Sequence, residues 1–413
     1  MLIAMISSQN AASADRLLED VPLPADVEVA EISDGNPNQR WLGAWTGAWG
    51  GSLKHVMVVE SIAGEGEARV IYAIGDNLSL DIRRQWSRHV AEISGHKLQI
   101  AKGKFSATYE LLPSGQAKAF YKLGEIRSFA LLKRVALDEL IDPGTRVDWT
   151  SGDSELVLTD LIEDGKPVHL EIVTFTPAGD GPFPLAVLNH GSTGRGTDPQ
   201  SFTKTWVDPR LAVFLNERGW MVAFPQRRGR GRSEGLYDEG FYADRTRGYT
   251  CDSEISLRGA ERALDDLYAA VAALRHRGDV AQSRILIGGQ SRGGVLSIAY
   301  SGRHPDQVAG AINFVGGWLG DGCSSAHLVN TTLFKQGAGF GRQTLWLYGR
   351  NDPFYTIQHS RKNFEAFESA AGEGLFMEFD VPGGYGHGLI GYDALWSEPI
   401  ERYLHSMAER DRR

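Results

Sequence analysis

From residue 185 onward six apolar runs fail to alternate: LAVLNHG (185–191), MVAFPQ (221–226), ILIGGQ (285–290), VAGAINFVG (308–316), TLWLYG (344–349) and LFMEFDV (375–381). A strand with one wet face alternates apolar and polar residues. A strand that does not is covered on both faces, as in a parallel sheet between helices. Among these runs, ISLRGAERALDDLYAAVAALR (255–275) sets Leu257, Ala260, Leu264, Leu267, Val271 and Leu274 on one helical stripe. Strands alternating with amphipathic helices imply an α/β unit, a mostly parallel sheet flanked by helices. A hairpin, ELVLTDLIEDGKPVHLEIVTF (155–175), leads into it.

The N-terminal part follows another grammar. With 413 residues the chain is too long for one typical domain, so two are expected. From about Trp41 to Arg134, short runs such as HVMVVE (55–60), ARVIYAIG (68–75), KLQIA (97–101), FSATYELL (105–112) and QAKAFYKL (116–123) are separated by turn formers. They predict a small antiparallel β-barrel or sandwich. Within WLGAWTGAWGG (41–51) the repeated Gly-x-Trp resembles the strand opening of lipocalin-type barrels, and core packing of Trp41, Trp45 and Trp49 explains it equally well. The turn-rich IDPGTRVDWTSGDS (141–154) marks the boundary. The expected division is a poorly ordered lead-in over 1–40, a β domain over 41–140 and the α/β unit over 151–413.

Chemistry concentrates after the strand-like runs. Gly289-Gln290-Ser291-Arg292-Gly293 directly follows ILIG and opens VLSIAYSGR (295–303), a strand–turn–helix setting in which flanking glycines let the turn close and lift the serine hydroxyl clear of the backbone. Gly231-Arg232-Ser233-Glu234-Gly235 fits the same pattern but lies in an Arg/Gly-rich loop with no apolar helix behind it, so Ser233 reads as structural. Asp352 follows TLWLYG, and His387, flanked by glycines, follows LFMEFDV. A serine hydroxyl needs a base oriented by an acid, and all three residues fall on one edge of the expected sheet. Asp321, after INFVGG, is the reserve acid.

Together with NHGSTG (189–194) and RGRGRSEG (228–235), this series resembles the α/β-hydrolases, in their dienelactone hydrolase and prolyl-oligopeptidase-like branch, over about residues 155–410. The resemblance implies acyl transfer with Ser291 as nucleophile, His387 as general base and Asp352 as orienting acid. It further implies an oxyanion hole from the backbone N–H groups of Ser192 and Arg292. No metal-ligand spacing or phosphate loop appears in the sequence, so no cofactor or metal is expected. Serine in place of the dienelactone hydrolases' cysteine puts the lactone substrate in doubt. A carboxylic ester hydrolase is the first expectation. An acylaminoacyl or dipeptidyl peptidase is the alternative, although such enzymes usually carry a propeller that about a hundred residues cannot build. A ligand-binding protein with an inert hydrolase fold is the third.

Other residues bear on specificity. The Arg292 side chain either meets a substrate carboxylate or pairs with an acid to brace the turn, and the second is favoured. Trp318, His327, Leu328 and Phe334, in the segment 317–341 where a cap is expected, are candidates for the pocket wall, faced by Tyr237, Phe241 and Tyr242. Cys251 and Cys323 are either a disulfide between two loops or two buried thiols. The net charge of −9 argues against a nucleic-acid partner, and no stretch approaches a membrane span. Met1–Ala14 reads either as a loose start or as the remnant of an export signal, so an exported and a cytoplasmic location stay open, as does the number of subunits. The expected partner is a small-molecule ester.

Overall fold

A computed structural model describes residues 16–18, 21–31, 36–50, 53–64, 66–76, 82–137, 152–381 and 384–410. The chain divides into two compact units, Met1–Ser151 with Asp208–Val213, and Gly152–Val207 with Phe214–Arg413. Most of the segment read as a boundary, 141–154, lies outside the described residues, as does the start at Met1–Ala14.

The first unit opens on a hairpin, β1 (Arg16–Leu18) and β2 (Val21–Leu23). Eight strands follow: β3 (Gly43–Trp49), β4 (Leu53–Ala63), β5 (Glu67–Ile74), β6 (Gln85–Ser94), β7 (Lys97–Lys102), β8 (Phe105–Leu111), β9 (Ala117–Leu123) and β10 (Ile126–Val135). Each pairs antiparallel with the next, and β10 pairs with β3 to close a barrel. At that seam β3 carries Gly47, where a Cβ would stand 2.3 Å from the Leu131 carbonyl oxygen, so only glycine fits.

Alternation along the strands fills the barrel with Trp45, Trp49, Met57, Tyr72, Phe105, Tyr109 and Tyr121. Trp41 and Trp45 are 0% and 1% exposed, and the Trp45 indole donates to the Trp41 carbonyl, so these tryptophans are core residues. The outer faces of β3, β4 and β5 are covered too: Ala44, Val56, Val58, Ile71 and Ala73 pack with Leu18, Val21, Leu23 and Val27. The lead-in expected to lack order is therefore, over Val21–Val27, part of the barrel's outer core. Its prolines and polar residues hid three well-spaced apolar side chains.

The second unit is an eight-stranded sheet: β11 (Asp153–Glu163), β12 (Lys166–Phe175), β13 (Phe183–Asn189), β14 (Met221–Pro225), β15 (Val280–Gln290), β16 (Gly310–Phe314), β17 (Thr344–Gly349) and β18 (Gly374–Phe379). Its order is β11-β12-β14-β13-β15-β16-β17-β18. The β11–β12 and β12–β14 pairs are antiparallel and the rest parallel. Among the described residues five α-helices lie wholly within this unit, α2 (Ser253–Arg275), α3 (Arg292–Arg303), α4 (Ala326–Gln336), α5 (Ile357–Ser369) and α6 (Asp393–Arg410), while α1 (Pro209–Asn216) is divided between the two units. One antiparallel edge hairpin, a swapped third and fourth strand, and a parallel run behind them make up the α/β-hydrolase topology. The run 375–381 departs from two-sided burial, because β18 is an edge strand and Leu375 is half-exposed. Among the described residues no helix is long and apolar enough to cross a membrane.

Candidate active site

Ser291 occupies the single residue between β15 and α3, at φ 56° and ψ −122°. A non-glycine residue at positive φ is strained, and such strain persists where the surroundings over-determine it. Here a Cβ on Gly289 would lie 2.6 Å from the Asn189 carbonyl oxygen, and one on Gly293 2.1 Å from it, so the turn packs against the end of β13 with no room for side chains. Ser291 N–H donates to the Phe314 carbonyl at 2.9 Å. The His190-Gly191-Ser192 turn runs alongside, a Cβ on Gly191 standing 3.1 Å from Ser291 Cβ. As the first residue of α3, Arg292 has an N–H without an intrahelical acceptor.

Asp352 and His387 come from the loops after β17 and β18. His387 Nδ1 lies 2.8 Å from Asp352 Oδ2, and the Asp352 side chain is fully buried. Its other oxygen accepts from the N–H groups of Phe354 at 2.8 Å and Tyr355 at 3.1 Å, so the carboxylate cannot swing away. Gln290 Nε2 donates to the His387 carbonyl at 3.1 Å, tying the histidine loop to the residue before the serine. Phe354 and Tyr355 pack on the imidazole with ring centroids 4.7 and 5.7 Å away.

Ser291 and His387 line one cavity of about 720 Å³. Among the described residues no hydrogen bond joins Ser291 Oγ to His387; the serine hydroxyl lies instead beside that of Tyr355, which donates to the Gly317 carbonyl at 2.7 Å. Burial pushes the Tyr355 hydroxyl up to about 12, so it stays protonated at neutral pH.

Beside the serine lies a buried ionic cluster. Glu239 Oε1 meets Arg227 Nε at 2.6 Å, and Oε2 meets Arg292 Nη1 at 3.1 Å. Burial by itself would raise the Glu239 carboxyl, but the charges of Arg227 and Arg292 outweigh it and hold it below its ordinary range. The Arg292 guanidinium is sandwiched 3.8 Å from the Tyr249 ring and 4.4 Å from that of Trp318, its Nε donating to the Trp318 carbonyl at 3.2 Å. His190 Nε2 accepts from the Arg227 N–H and its Nδ1 faces the Gly191 carbonyl; burial, and then Arg227 and Arg230, hold it neutral.

The pocket walls differ in part from expectation. Trp318 lines the cavity, but His327 is exposed on α4, as is Leu328, and Phe334 is buried against Trp346 at 4.6 Å in the helix layer. The face of α4 that turns inward therefore packs on α3 and α5, with Phe334 reaching Trp346 of β17, rather than on the pocket. Tyr237 sits one layer behind the wall, its hydroxyl 2.8 Å from that of Tyr249, which does line the cavity. Phe354, Tyr355 and Tyr385 also line it, and nothing in their spacing singled them out. Asp321 faces the cavity but engages Thr356 and His359 rather than His387. Ser233 is buried, accepting from Glu171 N–H and donating to the Gln226 carbonyl, each at 2.7 Å.

Cys251 and Cys323 are bonded to each other, Cα to Cα 5.3 Å apart and 72 residues apart in sequence. The bond ties the loop of Tyr249 to that of Trp318. Among the described residues no cluster of three His, Cys, Asp or Glu residues could hold a metal.

Residues 205–320 match the serine aminopeptidase S33 family. Among solved structures the chain is similar to Est1E from Butyrivibrio proteoclasticus with ferulic acid bound, at 15% identity over 60% of this chain and 97% of that one, with a TM-score of 0.43. It is also similar to the thioesterase domain of the curacin biosynthetic pathway (12% identity, 60% and 99% covered, TM-score 0.39) and to a prolyl endopeptidase (12%, 87% and 64%, TM-score 0.42). No curated protein sequence matches. The second unit therefore has the α/β-hydrolase fold and carries a segment matching a serine-hydrolase family, with an eight-stranded antiparallel barrel ahead of it in sequence.

Proposed function

We propose that the protein hydrolyses carboxylic esters through an acyl-enzyme on Ser291. The observation that carries this reading is the Asp352-pinned imidazole of His387 opening on the same cavity as a strained serine at a strand-to-helix turn. In the first step His387 Nε2 takes the Ser291 proton as Oγ attacks the ester carbonyl, and the oxyanion is met by the N–H groups of Arg292 and Ser192. The C–O bond to the alcohol then breaks, and the imidazolium returns its proton to the departing oxygen. Water, deprotonated by His387, attacks the acyl-enzyme; Ser291 Oγ leaves and regains the proton, and the acid is released. Asp352 keeps Nδ1–H in place and stabilises the imidazolium without taking its proton. Hydrogen bonds between nucleophile and base are often loose in free enzymes and tighten on substrate, which suits a serine hydroxyl parked beside Tyr355.

The test is hydrolysis of a short-chain 4-nitrophenyl ester series by wild type and Ser291→Ala. Turnover abolished in the variant supports the reading, and an active variant sinks it. The S33 match favours a second reading, removal of N-terminal amino acids. A substrate α-ammonium needs acidic partners, whereas this cavity is lined by four arginines and one aspartate, Asp321. Esters are therefore preferred, and aminoacyl 4-nitroanilides cleaved faster than esters would reverse the ranking.

A further inference from the structure

The cavity wall is cationic beyond what the fold neutralises. Arg195, Arg230, Arg247 and Arg292 line it. The one carboxylate in the lining, Asp321, is engaged, Oδ2 accepting from Thr356 N–H at 2.9 Å and Oδ1 facing His359. Arg292 is answered by Glu239, and that carboxylate is already divided between Arg227 and Arg292.

Arg230 has no ion pair among the described residues. It is 6% exposed, and the one side-chain hydrogen bond seen there runs from Nη1 to the neutral Ser201 carbonyl at 3.0 Å, with the Tyr237 ring 5.7 Å from the guanidinium. Its Nε is sealed from solvent and without a partner among the described residues. Nearer the surface, Arg195 and Arg247 form no close ion pair among the described residues, although the Asp244 carboxylate and the Tyr242 ring lie near Arg247. A buried guanidinium answered by only one neutral acceptor is costly, and an anion at the part of it that lines the cavity offsets that cost even with Nε itself sealed. Burial disfavours the Arg230 charge more than the nearby Tyr237 and Glu239 support it, so an arriving anion would offset the remainder. One buried guanidinium balances one negative charge, which a carboxylate carries and whose planar oxygens match the fork.

We infer that the substrate hydrolysed at Ser291 carries a free carboxylate of its own, held by Arg230 with Arg195 and Arg247 at the same wall. The word substrate rests on the ester-hydrolase reading; the carboxylate site does not. Two measurements keep them apart. The first compares mono-(4-nitrophenyl) glutarate with 4-nitrophenyl pentanoate, a pair alike in length and differing in charge. Wild type is expected to favour the glutarate ester by about ten- to a hundredfold in kcat/KM, the range of one charge-assisted contact. In Arg230→Gln that ratio falls toward one, and in Arg230→Lys it is intermediate, because charge is kept and the fork is lost.

The second is calorimetric titration of glutarate and of its uncharged diamide into Ser291→Ala, where no turnover intervenes. Glutarate is expected to bind at least about tenfold tighter, and the gap to close in Ser291→Ala/Arg230→Gln. Equal binding of acid and diamide, or a wild-type ester ratio at or below one, overturns the inference even if Arg230→Gln fails to fold. Glutarate held through Arg230 by a protein that cleaves neither ester would overturn the hydrolase reading and leave the carboxylate site standing.

Discussion

Two buried ionisable side chains, His55 of the barrel and Glu239 of the hydrolase unit, are handled in opposite ways. In the barrel, His55 is enclosed by rings: Trp49 stacks on it at 4.8 Å, Tyr72 at 4.6 Å, and Tyr109 donates its hydroxyl to Nε2 at 2.9 Å while Nδ1–H bonds the Ala73 carbonyl at 2.8 Å. Burial drives the His55 pKa down to about 3, so the ring is neutral. In the hydrolase unit Glu239 is equally buried and yet ionised, because two guanidiniums touch it. Burial alone strips a side chain of its charge; burial with counter-charges preserves it. The barrel thus gains a dry, uncharged core, while the hydrolase unit keeps a fixed field beside a cavity.

The contrast breaks most readily at the reaction itself. Ser291→Ala is expected to lower ester turnover at least about 10⁴-fold, and His55→Gln to leave it intact, both by steady-state assay on folded protein. A loss of turnover in the barrel variant would erase the functional difference between the regions. Next in size is Glu239→Gln, which leaves Arg227 and Arg292 facing a neutral amide. Urea denaturation is expected to show a loss of about 3–5 kcal/mol, against far less for an exposed pair such as Glu254 and Arg258.

Acid separates the two kinds of burial. Below about 6.5 the unfolded chain takes up a proton that His55, held at about 3, refuses. Unfolding is then favoured by roughly 1.4 kcal/mol per pH unit through that window, and stability rises again as pH rises. Glu239, held below its ordinary 4.5, gives up its contribution only in stronger acid. Stability followed from pH 7 to 4 should decline in wild type and decline less steeply in His55→Gln, where buried His190 still contributes, and the His55 ring protons should show no titration by NMR. A ring titrating near 6.5 would refute the sealed core. The smallest effect is Tyr109→Phe, which leaves His55 Nε2 without its donor and is expected to cost about 1–2 kcal/mol in the same measurement.

Legibility follows the same division between local and distant. The turn around Ser291 could be read because strand, glycines and helix are contiguous, and Asp352 and His387 because each follows its own apolar run. The ionic cluster could not: Arg292 meets Glu239 across 53 residues, and no spacing announces such a pairing. Nor could the rotation of α4, which decides that Phe334 faces Trp346 and not the pocket. The hairpin of β1 and β2 was masked because its apolar residues serve an outer barrel face that is buried only once it is there to cover it.

The bond between Cys251 and Cys323 makes the intervening chain a closed covalent ring. Ser291 lies inside it, with all of α2, β15, α3 and β16. A single protease cut anywhere in that ring would not divide the molecule. Protein nicked there should run as one band without reductant and as two fragments with it, the serine staying tethered to both halves until the bond is opened.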